Sequence, residues 1–100
     1  MLFQVTHTHS HETCPGVFPE GLTKFSQWWD NLKKNPEVKV LGGYVAPIEH
    51  VFHITVEGDD YATVARAIGP LNSIGTGQIT PVITLDQAMP LAEQGAFRPS

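Results

Sequence analysis

Charge is scarce in this chain. Only 16% of its 100 residues are Asp, Glu, Lys or Arg, and the net charge is −4. The basic residues form no run longer than Lys33-Lys34, which sets nucleic acid aside as a partner. Long apolar runs are missing as well. No stretch approaches the ~20 residues that a membrane-spanning helix needs. The opening "MLFQVTHTHS" lacks the basic and long apolar segments of a secretory signal, so a cytoplasmic setting is expected. Cysteine is reduced to Cys14 alone, which excludes an internal disulfide. Internal repeats and low-complexity segments are also lacking.

What remains is a globular composition with 41% apolar residues. The length predicts a single domain over residues 1–100, with a core in about 1–85 and a C-terminal tail in 86–100. A chain this short buries a modest core, so help from a partner subunit is expected. The stretch "QVTHTHSHETCPG" at 4–16 stands out, because it holds His7, His9 and His11 and then the thiol of Cys14. The remaining histidines are His50 and His53.

Residues 2–9 read as a strand, with Phe3, Val5, His7 and His9 on one face and Leu2, Gln4, Thr6 and Thr8 on the other. Pro15, Gly16, Pro19 and Gly21 then break regular structure. A helix is predicted over 20–34, where Leu22, Phe25, Trp28, Trp29 and Leu32 recur at spacings of three and four. Pro36 forbids its continuation. Adjacent Trp28 and Trp29 cannot share a narrow stripe, so one packs on the sheet and the other lines a pocket, meets a partner or lies half exposed. A second strand is predicted over 38–46, with Gly42-Gly43 marking a bulge or close approach. After the turn "APIE", a third strand spans 50–57, with Phe52, Ile54 and Val56 on one face and Val51, His53 and Thr55 on the other. Asp59 or Asp60 caps a helix over 61–68. The stretch "GPLNSIGTG" reads as a loop. A fourth strand is predicted over 77–83, at an edge or bulge because of Pro81. Thr84 caps a short helical turn, "LDQAM", and the tail "PLAEQGAFRPS" is loose or packs on a neighbour.

The order β-α-β-β-α-β is the ferredoxin-like pattern of the α+β class. It predicts a four-stranded antiparallel sheet with both helices on one face. A second copy is the simplest cover for the other face, so a homodimer through the sheet is expected.

In that topology the first and third strands are antiparallel neighbours. The end of the first, with His7, His9 and His11, therefore lies beside the start of the third, with Glu49, His50 and His53. His7 and His9 share a face with Cα atoms about 6.5–7 Å apart, near enough for two imidazoles to converge on one ion. His53 or His50 would complete a three-histidine set with an open position. Cys14 and Glu49 are further candidate ligands, and His11 and His50 stand behind the leading three. Imidazole suits zinc, copper, iron and nickel alike. Two other readings stay open: an acid–base histidine site without metal, and histidines with no special chemistry. Cys14 before Pro15 reads as an ordinary small residue at a loop bend, as a thiolate ligand, or as a thiol activated by an imidazolium.

The segments "MLFQVTHTH", "VKVLGGYVAPIEHVFHITVEGDDYATVARAI" and "GQITPVITLDQA" resemble a family of small dimeric α+β barrel proteins of unknown function. The resemblance covers about nine-tenths of the chain and rests on element order plus "VEGDDYATV" and "ITPV". The wider superfamily holds antibiotic-type monooxygenases, muconolactone-isomerase-like enzymes, haem-degrading proteins and stress-response barrels. The resemblance therefore implies a dimeric barrel, and often a small molecule held between sheet and helices. Three functions follow as expectations. The first is a metal-binding protein or small metalloenzyme with His7, His9 and His53 as leading ligands. The second is a cofactor-free oxygenase or isomerase with a histidine base acting on a small organic molecule. The third is a non-catalytic ligand-binding barrel.

Overall fold

A computed structural model describes residues 1–99. The chain runs β1 (Leu2–His9), α1 (Pro19–Lys34), β2 (Val38–Ala46), β3 (Val51–Gly58), α2 (Tyr61–Ile68), β4 (Gly75–Val82) and α3 (Leu85–Glu93), with 3-10 turns at His11–Thr13 and Gly69–Ser73. The strands form one antiparallel sheet in the order β2-β3-β1-β4. This is the ferredoxin-like arrangement, with β1 and β3 central.

Local chemistry explains the boundaries. α1 starts on Pro19, whose fixed φ and missing N–H suit the first helical turn. It stops at Asn35, in an extended conformation before Pro36. Asp60 rather than Asp59 caps α2, accepting the Thr63 N–H at 2.8 Å. β2 carries the expected bulge, where its register with β3 shifts between Val40 and Gly42. Pro81 sits in β4, an edge strand, where a missing donor is tolerated.

Three boundaries differ from the sequence reading. β3 begins at Val51, because His50 adopts φ +57° and belongs to the turn. β4 begins at Gly75, and the 3-10 turn occupies much of the stretch read as a loop. α3 continues past "LDQAM" to Glu93, with Pro90 inside it. Its start follows the Thr84 cap, whose hydroxyl accepts the Gln87 N–H while the Gln87 side chain accepts the Thr84 N–H.

Alternation along β1 and β3 decides which face is covered. Phe3, Val5, Phe52, Ile54 and Val56 are buried and join Leu32 of α1 and Val64 and Ile68 of α2 in one core. The Trp28 indole N–H donates to the Ala67 carbonyl at 3.0 Å, tying α1 to α2. The central strands present Leu2, Gln4, Thr6, Thr8, Val51, His53, Thr55 and Glu57 on the opposite face. On that face Thr55 donates to the Gln4 side chain at 2.7 Å. No helix among the described residues is long and apolar enough to cross a membrane.

Candidate metal centre

The helix-covered face of β1 ends in two imidazoles instead of aliphatic side chains. His7 is 1% exposed and His9 6% exposed. The His9 backbone N–H donates to the His50 carbonyl at 3.1 Å. This bond ties the end of β1 to the β2–β3 turn, where His50 holds its left-handed backbone. The His9 and His50 rings lie edge to face, 5.4 Å between centroids. Beyond β1 the chain makes its 3-10 turn, closed by the Cys14 N–H on the His11 carbonyl. The turn carries half-buried Cys14 back towards the same place. As a result, donor atoms of His9, Cys14 and His50 all lie within 4.8 Å of one another. Tetrahedral ligands at zinc distances stand roughly 3.3–3.6 Å apart. Side-chain rotations would have to close a remaining gap of up to roughly 1.5 Å, and none of the three is held by a side-chain hydrogen bond among the described residues.

The imidazoles are short of partners. Nδ1 of His7, of His9 and of His50 are all buried without a hydrogen bond among the described residues. Buried polar atoms are nearly always satisfied, so three orphans at one end of a sheet need a reason. For His9 and His50 a metal ion bound at Nδ1 would supply it.

His7 plays a different part. Its Nε2 lies 2.8 Å from the Leu71 carbonyl. A carbonyl only accepts, so Nε2 carries the proton and Nδ1 the lone pair. Its ring stacks on His9 at 5.9 Å and on Phe52 at 5.9 Å. His7 thus supports the cluster from beneath and is not among the converging donors.

The other sequence candidates fall elsewhere. His11 is exposed, with its ring 5.8 Å from that of His50, at the rim of the cluster. Glu49 is an exposed turn residue outside the donor group. His53 pairs with Thr6 and Tyr44, which puts it on the open face, away from His7 and His9. The sheet lies between them, so His53 is not brought together with the leading pair. The sequence reading missed two supports: the Leu71 carbonyl, which no pattern signals, and Phe52, whose ring is 4.8 Å from that of His9. Phe52 was legible only as an apolar residue near the start of β3, on the face of Ile54 and Val56; the structure makes it the register partner of His7.

Burial lowers the pKa of His7 from its ordinary 6.5, partly offset by the bond to Leu71. His9 is lowered by burial first, then by repulsion from His7 and His50. Both rings are therefore neutral near pH 7, the form that binds metal. The unfolded chain protonates both near 6.5, whereas the folded chain resists protonation. Below that pH the unfolded state binds more protons, so stability is complete above 6.5 and declines as pH falls. With a chelator present, urea unfolding midpoints are expected to be level above pH 6.5 and to drop below it. His7→Phe is expected to make that drop shallower.

A ferredoxin-like sheet with one buried imidazole, one half-buried imidazole and a thiol converging at one end defines a small α+β protein with a candidate metal centre. The chain belongs to the family described as a domain of unknown function (DUF3303), whose model matches residues 1–96. It is also similar in fold to SCO4226 from Streptomyces coelicolor A3(2), known from a crystal structure. The TM-score is 0.54 with 16% identity, over 84% of this chain and 100% of that one. No curated protein matches the chain.

Proposed function

We propose that the protein binds one transition metal ion through His9, Cys14 and His50, with a fourth position left to water, His11 or a substrate. The observation that carries this reading is the convergence of three donors from three chain segments, two of them imidazoles with unpartnered buried nitrogens. One thiolate and two imidazoles favour zinc, copper, nickel or iron over magnesium or calcium. With three protein ligands the site would keep an open position, as catalytic zinc sites do. An ion there would act as a Lewis acid or lower the pKa of a bound water. His7 and Phe52 would hold the His9 ring from behind, as outer-shell partners do in known sites.

Untagged protein, equilibrated with each of the four ions and dialysed, is expected to retain one ion per chain by elemental analysis. His9→Ala, Cys14→Ser and His50→Ala should each lose it, and His53→Ala should keep it. Failure of every ion to stay bound, or loss in His53→Ala alone, defeats the reading.

A homodimer is the second proposal, supported by the C-terminal region. Leu85, Met89 and Phe97 are 82%, 60% and 62% exposed. A cleft of about 630 Å³ opens between the Met1–Leu2 end of the sheet and the start of α3. A two-fold axis would lay α3 of each copy against the sheet of the other. Light scattering is expected to give twice the chain mass, and truncation after Thr84 to give monomer. A monomeric full chain would refute it.

A further inference from the structure

We infer that the cavity between α1 and the β2 edge of the sheet is a binding site for a neutral, planar, single-ring aromatic molecule. This goes beyond the metal reading and does not depend on it. The cavity measures about 190 Å³ and is lined by Phe25, Trp29, Gly43, Val45, Phe52 and Ile54 among others. An apolar cavity of about 150 Å³ accommodates benzene. The space here is a cleft open to solvent on one side, and by volume it takes one ring with a small substituent.

The walls favour an aromatic guest. Phe25 and Phe52 are stacked, with centroids 4.8 Å apart and planes 23° apart. Trp29 lies over the bare backbone of Gly43. A Cβ at that position would fall 2.5 Å from Trp29 Cη2, so only glycine lets the indole rest there. A guest ring can meet these three rings in offset or edge-to-face contact, which adds to plain apolar burial.

The local charges favour a neutral guest. An aromatic enclosure attracts cations, above all at tryptophan. Here Lys33 Nζ already stands 5.6 Å from the Trp29 ring centroid, so that face is engaged by a cation of the chain itself. No acidic or basic side chain lines the cavity, so a charged guest would find no counter-charge there and would lose hydration. Phe52 is the wall shared with the candidate metal centre, since its ring also contacts His9. A bound ring would sit one side chain away from the metal donors.

The test is a titration of untagged protein with phenol, cyclohexanol and tetramethylammonium, followed by two-dimensional amide NMR, with and without chelator. Phenol is expected to shift resonances of the Phe25, Gly43 and Phe52 region saturably in both conditions. Cyclohexanol should bind more weakly and tetramethylammonium not at all. Val45→Trp fills the cavity from a position that is 53% exposed, so the fold is expected to survive and phenol affinity to fall at least tenfold, about the effect of changing a pocket's fit. Gly43→Ala, which forces Trp29 into the space, should do the same where it folds. No saturable shift with phenol, unchanged affinity in folded Val45→Trp, or preference for cyclohexanol or tetramethylammonium would overturn the inference. Metal retention is measured separately, so the failure of one reading does not mask the other.

Discussion

His50→Gly is expected to abolish metal retention while leaving the metal-free protein at least as stable as the parent. Most ligand substitutions lose packing along with the donor, so lost binding can be blamed on a damaged fold. His50 separates the two effects. Its φ of +57° is a region that L-residues enter at a cost of roughly 1–2 kcal/mol and that glycine enters freely. Histidine tolerates it better than most residues, so the relief is at the lower end of that range. Against it stands the loss of a half-buried ring that contacts His9 and His11. The balance predicts an apo melting temperature within about 4 °C of the parent, or above it. His50→Ala, with the same lost donor but no backbone relief, should sit about 1 kcal/mol below the glycine variant. Metal affinity is expected to fall at least 100-fold in both, beyond the 10–100-fold typical of outer-shell changes. Dialysis against the metal followed by calorimetry reads both quantities. An unstable His50→Gly would mean that the ring is held for packing and not for a ligand.

Gly75→Ala is expected to carry the largest stability loss of any single-methyl addition in the sheet. Gly75 pairs with His9 at the β1–β4 end. A Cβ there would clash with the Thr8 carbonyl, lie 2.9 Å from His7 Cε1 and reach 3.0 Å from His9 Cα. Backbone atoms cannot rotate aside, so β4 must separate from β1 at that end. Overpacking alone costs 1–3 kcal/mol, and the broken pairing brings the expected loss to about 3 kcal/mol. The same displacement moves His9, so metal retention should fall too. Gly77→Ala is the control. Its Cβ would meet nothing closer than 3.4 Å, so it should cost under about 1 kcal/mol and keep the metal. Equal behaviour of the two variants would show that the register at this end of the sheet is not as described.

The contrast between these residues shows what could be read from sequence. The topology followed from strand and helix periodicity, and it correctly brought the end of β1 beside the start of β3. The face of each histidine was also legible. The apolar set Phe52, Ile54 and Val56 marks the core side of β3 as surely as Phe3 and Val5 mark that of β1. Matching the two puts His53 on the open side, and choosing it as a leading ligand overlooked that match. His50 was misread as a strand residue because its left-handed backbone arises from the geometry of the "APIEH" turn, which apolar alternation does not report. Cys14 was the hardest to place. Its approach to His9 follows a three-residue 3-10 turn, which has no periodic signature. The role of His7 depends on a carbonyl sixty-four residues away, a long-range contact that composition and spacing do not carry.

The most direct measurement is the electronic spectrum of the cobalt(II)-loaded protein. Binding by one thiolate and two imidazoles predicts an intense near-ultraviolet sulfur-to-cobalt band and visible bands of four-coordinate intensity, with the sulfur band lost in Cys14→Ser. A spectrum with only the weak visible absorption of octahedral cobalt, unchanged by that substitution, would contradict the proposal that this end of the sheet grips a metal.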